Sequence, residues 1–153
     1  MPDTPDLHGD LERSLTRLVR RVFLPTAGEA TRREAGVHLE RSAYITLARV
    51  ADLDGGRLSD LAAALGLEIS TTSRHVKRLV AEGYVEATAD PDDARARRYR
   101  VTTEGSRVLS RVRAARRARL AELLADWAPQ DVRTLARGLD RLVDALEADE
   151  DDR

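Results

Sequence analysis

Residues 89–102 read Ala89-Asp90-Pro91-Asp92-Asp93-Ala94-Arg95-Ala96-Arg97-Arg98-Tyr99-Arg100-Val101-Thr102. The last five alternate polar and apolar side chains, the pattern of a strand with one buried face. Tyr84-Val85-Glu86-Ala87-Thr88 has the same β-type composition, and the charged, turn-forming stretch 89–97 lies between the two. Together they predict a long-looped hairpin. Two short helices are predicted just upstream. Ser59 is placed to cap one over Asp60–Leu65, which Gly66 ends, and Ser70 is placed to cap the next, which Gly83 ends. Only Gly66-Leu67-Glu68-Ile69 joins them, which is the helix-turn-helix pattern. A hairpin directly after a helix-turn-helix is a wing. Arg57-Leu58 offers a short third strand to it.

Working outward, the Asp54-Gly55-Gly56 turn separates this core from a helix over roughly 37–53, with Leu39, Ala43, Leu47 and Val50 on one face. Residues 25–36 lack a clear apolar period and read as a loop with room for a helical turn. Before them, Leu7, Leu11, Leu15, Leu18 and Val22 form one stripe on a helix over 7–24 that Pro25 terminates. On the other side a long helix is expected from Thr103 to Trp127. Pro129 then stands near the start of a last helix carrying Leu135, Leu139, Leu142, Val143 and Leu146. The fold class is mainly α with a small β-wing. One domain is expected over 1–153, with 57–102 as a winged helix-turn-helix lobe and 7–53 and 103–148 as dimerisation and scaffold helices.

The second helix of a helix-turn-helix enters the major groove of DNA. Thr72, Val76, Leu79 and Val80 are expected to face the core, leaving Ser70, Thr71, Arg74, His75 and Arg78 outward with Ser73 and Lys77 at the flanks. Arg74 is the first choice for bidentate reading of guanine, and Arg78 and Lys77 for phosphate. Arg95, Arg97 and Arg98 lie at or beside the wing loop, where an arginine can enter a narrow minor groove. Asp90, Asp92 and Asp93 would repel phosphate, so they are expected to cap the turn and hold an arginine fork.

The charge distribution supports this reading better than the net charge of −1 does. From Arg57 to Arg119 there are 14 Arg/Lys against 8 Asp/Glu; the rest of the chain has 12 against 19. A basic middle between acidic ends fits a phosphate-facing centre. The absence of cysteine excludes disulfides, thiolate zinc sites and a thiol redox switch. His8, His38 and His75 show no metal-ligand spacing, so no metal and no cofactor are expected. No apolar run approaches the ~20 residues a membrane span requires, and no signal peptide is visible, so no membrane partner and a cytoplasmic location are expected.

The stretch Asp93-Ala94-Arg95-Ala96-Arg97-Arg98-Tyr99-Arg100-Val101-Thr102 resembles the wing signature of the MarR family, Asp-x-Arg-x-x-x-Leu-x-Leu-Thr. Asp93, Arg95 and Thr102 match outright; Tyr99 and Val101 stand for the leucines, and Ala94 stands where the family often has a second arginine. Leu61-Ala62, Leu65-Gly66, Ser70-Thr71-Thr72-Ser73-Arg74 and Leu79 resemble the family's helix-turn-helix. The resemblance implies a transcription regulator, commonly a repressor, that binds a pseudo-palindromic site on double-stranded DNA as a homodimer. It implies Arg95 as the minor-groove residue and Asp93 as its positioning partner. The leucine stripes at Leu7, Leu11, Leu15, Leu18 and at Leu135, Leu139, Leu142, Leu146 agree, since such stripes bury against another helix. The resemblance further implies a small aromatic or phenolic anion as effector, for which His38, Arg41, Tyr44 and Arg113 are the candidates.

Other functions make different demands. An enzyme needs a nucleophile, base or metal set or a Gly-rich phosphate loop, and Trp127 with three scattered histidines forms none. A winged-helix protein adaptor calls for an apolar or acidic recognition face. An architectural DNA-binding dimer calls for a basic surface throughout.

Overall fold

The structure, a computed structural model, describes residues 6–22, 28–93 and 95–151. In chain order it contains α1 (Leu7–Val22), α2 (Glu29–Glu34), α3 (Arg41–Leu53), α4 (Leu58–Leu65), α5 (Ile69–Ala81), β1 (Val85–Ala89), β2 (Arg97–Val101), α6 (Thr103–Leu123) and α7 (Pro129–Asp151). Contacts divide the chain into two compact units, Met1–Ala115 and Arg116–Arg153. Among the described residues no helix is long and apolar enough to cross a membrane.

The first unit is built around α3, α4 and α5, which pack on one another and on the hairpin. Its core holds Leu47 and Val50 from α3, Leu61 from α4, Val76 and Leu79 from α5, Val85 from β1, and Val108, Leu109 and Val112 from the first half of α6. α3 therefore belongs to the same packed body as the helix-turn-helix. The hairpin pairs antiparallel from Val85↔Val101 to Ala89↔Arg97. The expected third strand is a single bridge, Arg57↔Arg98. It follows a turn in which Asp54 and Gly55 have positive φ. The Gly55 N–H donates to the Tyr99 carbonyl and the Tyr99 N–H to the Gly56 carbonyl, both at 3.1 Å. Gly55 is needed there for its positive φ.

The exit from the wing is equally tight. Thr102 Oγ1 donates to the Gly83 carbonyl at 2.7 Å and accepts from the Gly105 N–H at 3.1 Å, capping α6. A Cβ on Gly105 would collide with the Tyr84 carbonyl.

Several boundaries differ from the sequence expectation. α4 begins at Leu58 with Arg57, not Ser59, as its N-cap. Asp60 explains the earlier start, because its carboxylate accepts the Arg57 N–H at 2.8 Å. α5 begins at Ile69 with Glu68, not Ser70, as N-cap. Thr71 and Thr72 both donate backbone N–H groups to the Glu68 carbonyl, so the first turn closes one residue before Ser70. Val80 is exposed rather than buried, because the core side of α5 is already filled by Thr72, Val76 and Leu79. The stretch after Gly28 is not simply a loop: it holds α2. The helix expected from residue 37 starts at Arg41, although Val37 and Leu39 still bury their side chains. α6 stops at Leu123, ahead of the expected Trp127. Pro25, the expected terminator of α1, lies outside the described residues.

Candidate nucleic-acid interface

α5 turns one face into the core through Thr72, Val76 and Leu79. Spacings of three and four then place Thr71, Arg74 and Arg78 in a row on the outer face. Arg74 Nη2 donates to Thr71 Oγ1 at 3.2 Å and meets no carboxylate among the described residues. Ser70 and Lys77 are exposed and Ser73 is half-buried. His75 is half-buried and turned towards α3: its Nδ1 lies 3.4 Å from Oγ1 of the buried Thr46. That contact leaves the ring less available for base edges than the sequence suggested. Arg78 is held on both sides, by Glu82 at 2.8 Å and by Glu40 at 3.0 Å. The hydrogen bond it donates to Glu82, and then the charge of Glu40, raise its pKa above the ordinary arginine value.

The wing is organised around a residue whose partners the sequence did not identify. Asp90 is buried, and its Oδ2 accepts from Arg57 Nε at 2.7 Å and from Arg98 Nε at 3.0 Å. Its Oδ1 accepts the Asp92 N–H at 2.9 Å. The Arg57 hydrogen bond, followed by the Asp92 N–H, holds this carboxyl well below the usual carboxylate range against the opposing pull of burial. The expected arginine fork therefore exists, with Asp90 as its centre. Arg98 is a member of it and also reaches Asp92 at 3.4 Å. Arg57 is the residue that sequence reasoning missed. It is 33 positions from Asp90, so no local pattern links them.

Asp93 does position Arg95, but through the backbone: its Oδ1 accepts the Arg95 N–H at 2.9 Å. A second bond, from the Ala96 N–H to the Asp93 carbonyl, closes the same turn. The side chains of Arg95 and Arg97 are exposed and meet no carboxylate among the described residues. The lobe thus presents Arg74 and Lys77 on a helix and Arg95 and Arg97 on a hairpin tied to its body by Asp90. Cations that no carboxylate neutralises, on a helix and a hairpin, suit the oxygens of a nucleic acid.

The match to known proteins follows this geometry. The MarR family model matches residues 39–96, which run from the start of α3 through the wing turn. The chain is 29% identical over 133 residues to the uncharacterized HTH-type transcriptional regulator YxaD of Bacillus subtilis, covering 86% of this chain and 90% of that protein. Over residues 39–96 the chain is therefore similar to the MarR family, and its fold is a winged helix. Members of the MarR family are transcriptional regulators and not enzymes. The MarR fold extends over most of the chain. The transcriptional regulator Tm0710 from Thermotoga maritima superposes with a TM-score of 0.69 at 26% identity, covering 92% of this chain and 96% of that one. Streptococcus pneumoniae FabT, solved in complex with DNA, shares the fold with a TM-score of 0.63 at 15% identity, covering 92% and 98%.

The four effector candidates are not all brought together. His38 and Arg41 line one cavity of about 380 Å³ with Arg32, Arg33, Glu29 and Glu40. Tyr44 is a core residue, and Arg113 is an exposed residue of α6 outside that lining. Arg32, which the sequence did not single out, is buried with its Nε donating to the Leu39 carbonyl at 3.2 Å. The terminal helices carry the expected dimerisation residues on open faces. Leu7, Leu11 and Leu18 of α1 and Leu135, Leu139 and Leu146 of α7 are exposed; Leu15 and Leu142 are half-buried. Among the described residues, α1 contributes no side chain to the core of the first unit.

Proposed function

We propose that this chain is a MarR-family transcriptional regulator that binds a pseudo-palindromic site on double-stranded DNA as a homodimer and represses transcription in the cytoplasm, with a small organic anion as its effector. The observation that carries the reading is the set of cations that meet no carboxylate among the described residues, Arg74 and Lys77 on α5 and Arg95 and Arg97 on the wing, displayed by one packed lobe. In this reading α5 enters the major groove, where Arg74 reads guanine and Lys77 touches phosphate. Arg95 enters the flanking minor groove, where negative potential is strongest over A·T-rich segments. The FabT complex supports nucleic acid as the partner, since the same fold there holds DNA.

The homodimer is supported by the leucines of α1 and α7, which a second copy would cover. Two-fold symmetry then sets the recognition helices about one DNA turn, ~34–36 Å, apart. The effector reading is supported by the cavity at α2. It is large enough for a small aromatic carboxylate or phenolate, and Arg32, Arg33, Arg41 and His38 offer positive charge or N–H donors to one.

Selection of bound duplexes from a random library by the purified protein is the decisive experiment. The expected result is an inverted repeat with half-sites one helical turn apart, bound at least tenfold more weakly by Arg95→Ala and released from the wild type by benzoate. A library that yields no enriched sequence, or full affinity in Arg95→Ala, overturns the reading of the lobe; an operator complex indifferent to small aromatic anions overturns the effector alone.

A further inference from the structure

Arg78 stands in the row formed by Thr71 and Arg74, yet it differs from the other cations of α5. Two glutamates hold it: Glu82 on the last turn of α5, and Glu40, which comes from a different element, the N-cap position of α3. Stability does not explain the arrangement. Exposed ion pairs of this kind contribute little to folding, and the Glu40 and Arg78 side chains are 68% and 45% exposed. Glu82 sits at the C-terminal end of its helix, where the dipole disfavours a negative charge. The Glu40 side chain makes no capping hydrogen bond to α3. The two carboxylates occupy Nε and Nη1 of Arg78, two of the three guanidinium nitrogens that a DNA phosphate would otherwise share.

We propose that Glu40 and Glu82 are internal competitors for the DNA backbone at Arg78, and that Glu40 is an affinity-setting residue of the interface. The inference rests on the DNA-binding reading. A phosphate reaching Arg78 competes for its charge, and for Nε and Nη1, with carboxylates already at hydrogen-bond distance, so Arg78 contributes less to sequence-independent binding. That binding is almost wholly a matter of phosphate neutralisation and counterion release. A regulator faces a vast excess of unrelated sites, and a lower backbone affinity leaves more of it available for its operator.

The test is a salt titration of binding to a labelled duplex of random sequence, with wild type, Glu40→Gln, Arg78→Ala and the double variant. Glu40→Gln is expected to bind about three- to tenfold tighter at 0.1 M salt, with a log–log salt slope steeper by about 0.9, the value for one more phosphate contact. In the Arg78→Ala background the same substitution is expected to change little, because the competition has lost its object. Glu82→Gln should shift affinity in the same direction, which guards against a fold defect in one variant. An unchanged affinity in Glu40→Gln overturns the proposal. So does an equal gain in the Arg78→Ala background, which would mean general repulsion between Glu40 and DNA. A wild type that binds no duplex at all sinks the DNA-binding reading itself, and is told apart from the other two outcomes by the first titration.

Discussion

In the winged-helix lobe Leu47, Leu61 and Leu79 are fully buried, while on α7 Leu135, Leu139 and Leu146 remain 42%, 41% and 57% exposed. The residue type is the same in both places, and all six leucines lie on helices. What differs is the neighbourhood: the leucines of the lobe are covered by α3, α4, α5, the hairpin and the start of α6, whereas the stripe of α7 stays open along its own helix. Apolar surface on that scale, at helical period, calls for a partner. In the homodimer proposed above, the lobe is the part whose folding the chain completes by itself, and the terminal helices are the part that association would complete.

The sharpest way to break this contrast is to damage each region separately. Leu79→Ala removes a fully buried side chain from α5 and should destabilise the lobe by roughly 2–5 kcal/mol, the range for such truncations in packed cores. Urea unfolding followed by far-UV circular dichroism would measure it, and a loss below about 1 kcal/mol would mean that the core is looser than its burial indicates. Leu139→Asp should act on assembly instead. A carboxylate placed in an apolar interface goes unsatisfied there. Light scattering is expected to show the mass falling from two chains towards one at micromolar concentration, with hydrogen exchange in α3 and α5 still protected. If the variant stays dimeric, the leucines of α7 are not the interface; if lobe protection vanishes with the dimer, the two regions do not fold independently.

The two regions were also unequally legible in the sequence. The wing could be read because its signals are local: alternation from Arg98 to Thr102, turn residues from Asp90 to Asp93, and a helix-turn-helix beside them. The leucine stripes were readable for the same reason. The errors fall where tertiary contacts decide. Ser59 and Ser70 are good capping residues on paper, but Asp60 and the Glu68 carbonyl start both helices earlier. Val80 fits the apolar period of α5, yet the core has no place left for it. In the interface, Arg95 and Arg74 stand as exposed as their positions suggested, while Arg98 and Arg78 are engaged by carboxylates. Arg57–Asp90 and Glu40–Arg78 each join residues more than 30 positions apart, and a periodicity argument carries no information about such pairs.

The smallest expected effect concerns how the hairpin is fixed to the lobe, and it appears only in acid. Asp90 has its pKa depressed by Arg57, the Asp92 N–H and Arg98. A group whose folded pKa lies below its unfolded value, about 3.9 for aspartate, contributes stability that is complete above that value and is lost as pH falls through the folded one. Asp90→Asn cannot titrate, so its melting temperature should lie below that of the wild type by a constant margin from pH 8 down to about 4. Below pH 4 the margin should narrow as the wild-type carboxyl protonates and releases its two arginines. Because Asp90 is held low, the narrowing should lag behind the protonation of the exposed carboxylates. A margin that closes already between pH 6 and 4 would mean that the carboxyl is not held by the fork. A margin unchanged down to pH 2 would mean that the shape of the side chain, and not its charge, ties the wing to Arg57. Either result would turn the wing from a hairpin anchored by charge into one held by packing alone, and would remove the reason for regarding Arg98 as part of its support.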